Sequence, residues 1–143
     1  MDQENYMPDE ASCRMANKAT IDQLPEMLND PDPWVRCVVA ERIDPAHLPK
    51  MMSDEDDGVR IRVAERIAID QLPEMMKDVC FFVRIEVAMR IPVDQLLEMV
   101  RDPASYVRCE VAERIEGKFL SYMLLQETDP DVVGILRKRL NTC

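Results

Sequence analysis

Apolar residues recur along the chain in two short rhythms that alternate. In the first, Val35, Val39 and Ile43 fall at i, i+4 and i+8, the spacing of one helix face. Val38 and Ala40 widen that face, as a helix packed between neighbours requires. Asp32 stands where an N-cap belongs, and Pro33 follows at the first helical position, where its missing N–H costs nothing. Asp129-Pro130 repeats the arrangement. The second rhythm opens with Asp22-Gln23-Leu24-Pro25 and returns as Asp70-Gln71-Leu72-Pro73 and Asp94-Gln95-Leu96-Leu97. Its aspartate reads as a cap and its proline as part of the first turn. Only about eight residues remain before the next unit, enough for a short α or 3-10 turn. No segment alternates with period two, so strands are not expected.

The two rhythms form one repeat. Val-Arg occurs at Val35-Arg36, Val59-Arg60, Val83-Arg84 and Val107-Arg108, always 24 residues apart. Ala40, Ala64, Ala88 and Ala112 keep the step, as do Arg42, Arg66, Arg90 and Arg114. Leu24 to Leu120 and Met27 to Met123 extend it in both directions. First helices are expected near Val35, Val59, Val83 and Val107. The end copies are degenerate, as caps of an array should be. Ser12 replaces the arginine in the first, and Asp129-Pro130-Asp131-Val132-Val133 follows one inserted residue in the last. A single unit cannot bury its apolar face, but stacked units can. The expected fold is all-α, a right-handed α-solenoid of 24-residue units pairing a helix with a short α or 3-10 helix. It should fill residues 12–143 behind an acidic N-terminal arm, residues 1–11.

Composition narrows the function. Of 143 residues, 28 are aspartate or glutamate and 18 lysine or arginine, a net charge of −10. That balance argues against a nucleic-acid face and against docking on anionic membranes. No apolar run approaches the roughly 20 residues of a membrane span. The start, Met1-Asp2-Gln3-Glu4-Asn5, lacks the basic and apolar stretches of a signal peptide, so a cytoplasmic location is expected. Five cysteines, odd in number and widely spaced, fit reduced thiols.

The unit resembles the leucine-rich repeat variant, a 24-residue motif whose family alternates an α-helix with a 3-10 helix. It is also similar to HEAT-type repeats, which share an aspartate six residues before the arginine of Val-Arg. Here those pairs are Asp30 and Arg36, Asp54 and Arg60, Asp78 and Arg84, and Asp102 and Arg108. The resemblance implies a ladder between neighbouring turns rather than a ligand-binding charge row. Repeat-variant proteins are known from nitrogen-fixing bacteria, and the best-known relative holds an iron–sulfur centre on an N-terminal cysteine cluster. Only Cys13 precedes the first full unit here, so that cofactor is not carried over. What the resemblance implies is a nitrogenase-associated accessory factor that binds the molybdenum–iron protein in an immature, damaged or turnover-perturbed form.

Chemistry has little to stand on. Cys13, Cys37 and Cys109 share a position filled elsewhere by Ile61 and Ile85, which marks a core site. There is no Cys-x-x-Cys, so no metal and no cofactor are expected; Cys80 and Cys143 are left without a role. His47 is the one histidine and has no repeat counterpart. No glycine-rich phosphate loop or nucleophile elbow occurs, so the chain is not expected to be an enzyme. The second arginine row, beside Glu41, Glu65 and Glu113, reads as an ion network. Met27 to Met123 read as core filling, with Met52 and Met76 better placed for exposure.

The aromatic positions say more. Trp34, Phe82 and Tyr106 are equivalent, each just before Val-Arg, with Gly58 in the remaining copy. They either fold over the core or form a contact stripe, since such residues are enriched at interface hot spots. Where other units have polar turns, the third has Val79-Cys80-Phe81-Phe82, against ordinary turn chemistry. Trp34, Val79, Phe81, Phe82 and Tyr106 are therefore the candidate contact residues of a non-catalytic interaction protein. The alternative is a HEAT-like small-molecule or pigment-handling lyase, which needs a deep pocket that five short units would not supply.

Overall fold

The computed structural model describes residues 10–142, without the side chains of Glu10 and Cys13. Every element among them is helical, and α-helices alternate with 3-10 helices as the repeat predicts. The chain divides into two compact units, Met1–Ala68 and Ile69–Cys143.

The first unit holds α1 (Glu10–Lys18), η1 (Ile21–Met27), α2 (Pro33–Arg42), η2 (Pro45–Met51) and α3 (Asp57–Arg66). Asp32 caps α2 by accepting from the Trp34 amide at 2.9 Å, and Asp56 caps α3 through the Val59 amide at 3.2 Å. α1 begins at Glu10, inside the segment that composition assigns to the arm; residues 1–9 lie outside the described residues. Val35, Val39, Ala40 and Ile43 are buried with Leu48 and Met51, and Val59, Val63, Ala64 and Ile67 repeat the set. α2 packs against both α1 and α3.

The second unit holds η3 (Ile69–Met75), α4 (Phe81–Arg90), η4 (Val93–Met99), α5 (Ser105–Arg114), α6 (Lys118–Gln126) and α7 (Pro130–Asn141). Its core is Val83, Val87, Ala88 and Ile91 with their counterparts Val107, Val111, Ala112 and Ile115, closed by Val132 and Leu136. α5 packs on α4 and α7.

Each main helix begins about two residues before the expected valine, because the N-cap sits directly on the preceding turn. The short helices are capped differently from the expectation. Asp22, Asp70 and Asp94 lie within their first turns, and Thr20 and Pro92 hold the N-cap positions of η1 and η4. Only η2 has the aspartate cap, Asp44 accepting from the Ala46 amide at 2.9 Å. Proline is the fifth residue of η1, η2 and η3. In an α-helix its ring would strike the carbonyl four residues back, and the 3-10 form avoids this. Leu97 and Ser121 stand in that place in the other two copies; η4 keeps the 3-10 form, and the last segment runs as a full α-helix. It starts from Gly117, whose φ of 59° and ψ of −136° suit glycine alone.

Candidate protein-binding surface

The apolar turn lies at the start of α4. Cys80 occupies the N-cap position and makes no side-chain cap bond, so the turn gives up the stabilisation that Asp32 and Asp56 supply in the first unit. Asp78 holds the turn as its counterparts do in the other repeats, its Oδ1 accepting from the Cys80 amide at 2.8 Å. This leaves Val79, Phe81 and Phe82 on the outer edge. The rings of Phe81 and Phe82 are 4.2 Å apart, tilted by 31°. Phe81 stacks on Tyr106 at 6.0 Å, an offset arrangement aromatic pairs prefer. Val79 is 92% exposed, Tyr106 69% and Phe82 55%, while Phe81 is half-buried beneath them. The structure thus brings four of the five candidate contact residues into one apolar edge. Trp34, 54% exposed, stands in the first unit at the start of α2.

The arginines of Val-Arg are placed by geometry rather than by surface charge. Arg36 is buried, and its Nε and Nη2 grip Asp54 Oδ2 and Oδ1 at 2.8 and 2.9 Å. Arg84 holds Asp102 in the same bidentate way at 2.7 and 2.9 Å, and Arg108 holds Glu127 at 2.7 and 3.0 Å. Within a repeat the link runs to backbone. Nη1 of Arg36, Arg60, Arg84 and Arg108 donates to the carbonyls of Asp30, Asp54, Asp78 and Asp102 at 2.7 to 2.9 Å. The aspartate six residues before each arginine therefore serves it with a main-chain oxygen. In the three bidentate pairs the carboxylate comes from the following repeat. Each carboxylate also fixes its own turn, Asp30 and Asp54 by accepting from the amides of Asp32 and Asp56 at 2.9 Å. These bonds to ionised partners are the strong kind, and they hold the guanidinium groups of Arg36, Arg84 and Arg108 above their ordinary range.

Glu127 was not among the expected ladder residues. The one-residue insertion before Asp129 shifts it onto the ladder position, and counting the insertion would have found it. Arg108 holds its carboxyl below the usual range.

The second arginine row is not the ion network that the adjacent glutamates suggested. Arg42 donates to the carbonyl of Ala16 and, at 2.8 Å, to that of Ala19; Arg66 donates to those of Ala40 and Ile43 at 2.6 and 2.8 Å. Arg114 reaches Ala88 and Arg139 reaches Ala112 and Ile115. Helices α2 to α5 each stop abruptly at an extended isoleucine, leaving carbonyls that need donors. A cation at that end also suits the helix dipole. Among the glutamates, Glu41 and Glu65 pair with Arg62 instead, both at 2.9 Å.

The cysteine position is half-buried rather than core, for Cys37, Ile61, Ile85 and Cys109 alike. It lies near the helix start, where the neighbouring repeat covers only one side. Burial and then the Asp56 charge push the Cys37 thiol up to about 11. Burial, followed by Asp129, raises that of Cys109 as well. Cys143 and the side chain of Cys13 lie outside the described residues. His47 is half-buried in η2. Among the described residues no group of three or more His, Cys, Asp or Glu side chains is placed to hold a metal ion. No helix among them is long and apolar enough to cross a membrane. Met51, Met75, Met99 and Met123 are buried, while Met27, Met52 and Met76 are half-buried. Exposed apolar residues that went unread in the sequence include Ile21, Ile69 and, on α6, Leu125 and Tyr122, where the short-helix rhythm hides the longer helix.

No family model matches the chain, and no curated protein does. Among solved structures it is similar to a leucine-rich repeat variant with a novel repetitive structural motif, at 36% identity and a TM-score of 0.81. The match covers 85% of this chain and 52% of that one, so the chain spans about half the length of its structural relative. With the alternating α and 3-10 helices already seen, the chain is an all-α repeat solenoid whose fold matches that of this leucine-rich repeat variant.

Proposed function

We propose that this chain is a non-catalytic protein-binding module, and that its contact surface is the apolar edge formed by Val79, Phe81, Phe82 and Tyr106. The observation that carries this reading is the Val79 turn. It surrenders a helix cap, which is worth about 1 kcal/mol, and sets a nearly fully exposed valine beside two phenylalanines. Rules of local structure are broken in this way mainly where a surface has another use. Trp34 is a second contact point, on the first unit. The bidentate Asp–Arg ladder supports the reading by stiffening the frame on which those anchors stand.

The partner we favour is the nitrogenase molybdenum–iron protein in an immature, damaged or turnover-perturbed form. Support for it is the resemblance to repeat-variant proteins of nitrogen-fixing bacteria. A cytoplasmic location goes with that partner. The experiment is a Phe81→Ser, Phe82→Ser double variant compared with the wild type in binding to purified molybdenum–iron protein and in thermal unfolding. Loss of about 2 kcal/mol or more of binding with unchanged melting is expected. A large fall in melting temperature with affinity retained in the folded fraction would instead make both rings structural. Absence of wild-type binding would reject the partner; capture from cells grown with and without fixed nitrogen then tests for another.

A further inference from the structure

The two units carry the same helix pair with one difference in filling. In the second unit, Tyr106 of α5 lays its ring on Phe81 of α4. Two repeats earlier, Phe81 corresponds to Pro33 and Tyr106 to Gly58. The first unit therefore lacks the ring, and a groove of about 510 Å³ lies between α2 and α3 in its place. Pro33, Trp34 and Cys37 form one wall, and Gly58, Ile61 and Arg62 the other. A groove of that size lies within the range of about 300–1,000 Å³ typical of ligand sites. Trp34 is half-exposed on the groove wall, with an aromatic face available to a guest.

The charges around the groove point to the guest's neighbours. Glu41 and Asp56 both line it. Arg62, the cation there, is already held by Glu41 and Glu65. Two carboxylates thus hold the one guanidinium and Asp56 adds a further negative charge to the lining, on a chain whose net charge is −10. An incoming acidic segment would meet repulsion, and a basic one attraction.

We propose that the groove between α2 and α3 is a socket for an aromatic side chain of a protein partner, flanked in that partner by basic residues. This rests on the reading of the chain as a binding module but not on the apolar edge of the second unit. The ring would lie over Gly58 and Pro33, as Tyr106 lies on Phe81 at the equivalent point of the chain, with Trp34 on the same wall.

Trp34 is the one tryptophan of the chain, so its emission reports on the socket directly. The probe is an acetylated Lys-Phe-Arg amide, titrated to about 10 mM, a range suited to millimolar binding by a small fragment. Expected are a saturable change in Trp34 emission and slower alkylation of Cys37. Replacing the peptide's phenylalanine by alanine, or its basic residues by glutamate, should weaken binding about tenfold, as loss of an anchor or of charge complementarity does. Gly58→Tyr should abolish it, because the chain would then fill its own socket. A Cβ at Gly58 would lie 3.5 Å from Cys37 Sγ and 3.0 Å from Asp56 Oδ1, so Gly58→Ala, which leaves the groove open, is the control for strain. Phe81→Ser, Phe82→Ser should bind the peptide as the wild type does. No saturable emission change together with no protection of Cys37 would overturn the proposal. So would peptide binding that survives in folded Gly58→Tyr, or that disappears in the double phenylalanine variant. Neither of those results would touch the apolar edge, which is tested with its own partner.

Discussion

The guanidinium of Arg66 donates to the carbonyl of Ala40 at 2.6 Å, so the open end of α2 is closed by a side chain from the next repeat. A second bond, to Ile43 at 2.8 Å, takes up another carbonyl of the same turn. Hydrogen bonds to a charged group contribute roughly 1.5–3 kcal/mol each when formed in partly buried surroundings. Arg66→Ala should therefore lower stability by about 2 kcal/mol or more in urea denaturation. Arg66→Lys should recover only part, because an ammonium lacks the fork that reaches two carbonyls. An unchanged midpoint in the alanine variant would show that water serves those carbonyls equally well.

Two aspartates of the first unit, in successive turns, should behave oppositely. Asp54 accepts both arms of buried Arg36, and Asp54→Asn would leave that guanidinium only the exposed Glu55 at 3.4 Å, a loss approaching the roughly 3–5 kcal/mol of a buried pair broken on one side. Asp32 uses Oδ1 as a helix cap, but its Oδ2 is buried with no hydrogen-bond partner among the described residues. Asparagine caps a helix as well as aspartate does. Asp32→Asn should be neutral or stabilising in the same denaturation assay. Equal losses in the two variants would contradict the ladder.

The shifted groups predict a stability profile with pH. The Cys37 thiol is raised from 9 to about 11, so the folded state holds that proton more tightly than the unfolded chain. Its contribution is complete below pH 9 and disappears as pH rises toward 11. Cys37→Ser should flatten the alkaline limb. Glu127 is shifted the other way, chiefly by its bond to Arg108. Its contribution is present above the ordinary carboxylate range and is lost as pH falls through that range, and Glu127→Gln should remove that part of the acid limb. Alkylation of Cys37 at pH 8 should likewise be slow compared with a free thiol, since the thiolate is the nucleophile. Rapid labelling in the folded protein would refute the burial that raises it.

Ala64 is fully buried at the position that keeps alanine in every complete repeat. Ala64→Leu should overpack the site and cost about 1–3 kcal/mol. The midpoint of chemical denaturation checks it, and no change would mean that neighbouring side chains can yield.

The repeat made most of the fold legible. Val35, Val39 and Ile43 mark a face by spacing alone, and Pro25, Pro49 and Pro73 suit the 3-10 form of η1 to η3, which η4 keeps with Leu97 in that place. Boundaries and hydrogen-bond partners were harder to read. Nothing in the sequence of Arg42 and Arg66 distinguishes a carboxylate partner from a carbonyl, because the choice depends on where the previous helix ends. Spacing sets Asp30 beside Arg36, but in the fold Asp30 gives that arginine a main-chain oxygen and the carboxylate it grips is that of Asp54. The aromatic edge was visible as broken turn chemistry at Val79. The groove above Gly58 was not, since a missing side chain leaves no pattern until two units can be compared.

The two arginine rows also impose an order on synthesis. Arg42 and Arg66 bond to carbonyls that lie upstream, so their partners already exist when they leave the ribosome. Arg36, Arg84 and Arg108 take carboxylates that lie 18 or 19 residues downstream. At the ordinary pace of about 5–20 residues per second, each of these cations waits roughly one to four seconds for its counterion. A nascent chain therefore seals backward at the ends of these helices, while Arg36, Arg84 and Arg108 each leave a bidentate site open at its growing edge. Each of the three closes when the next acidic turn emerges, so these links lock in the direction of translation.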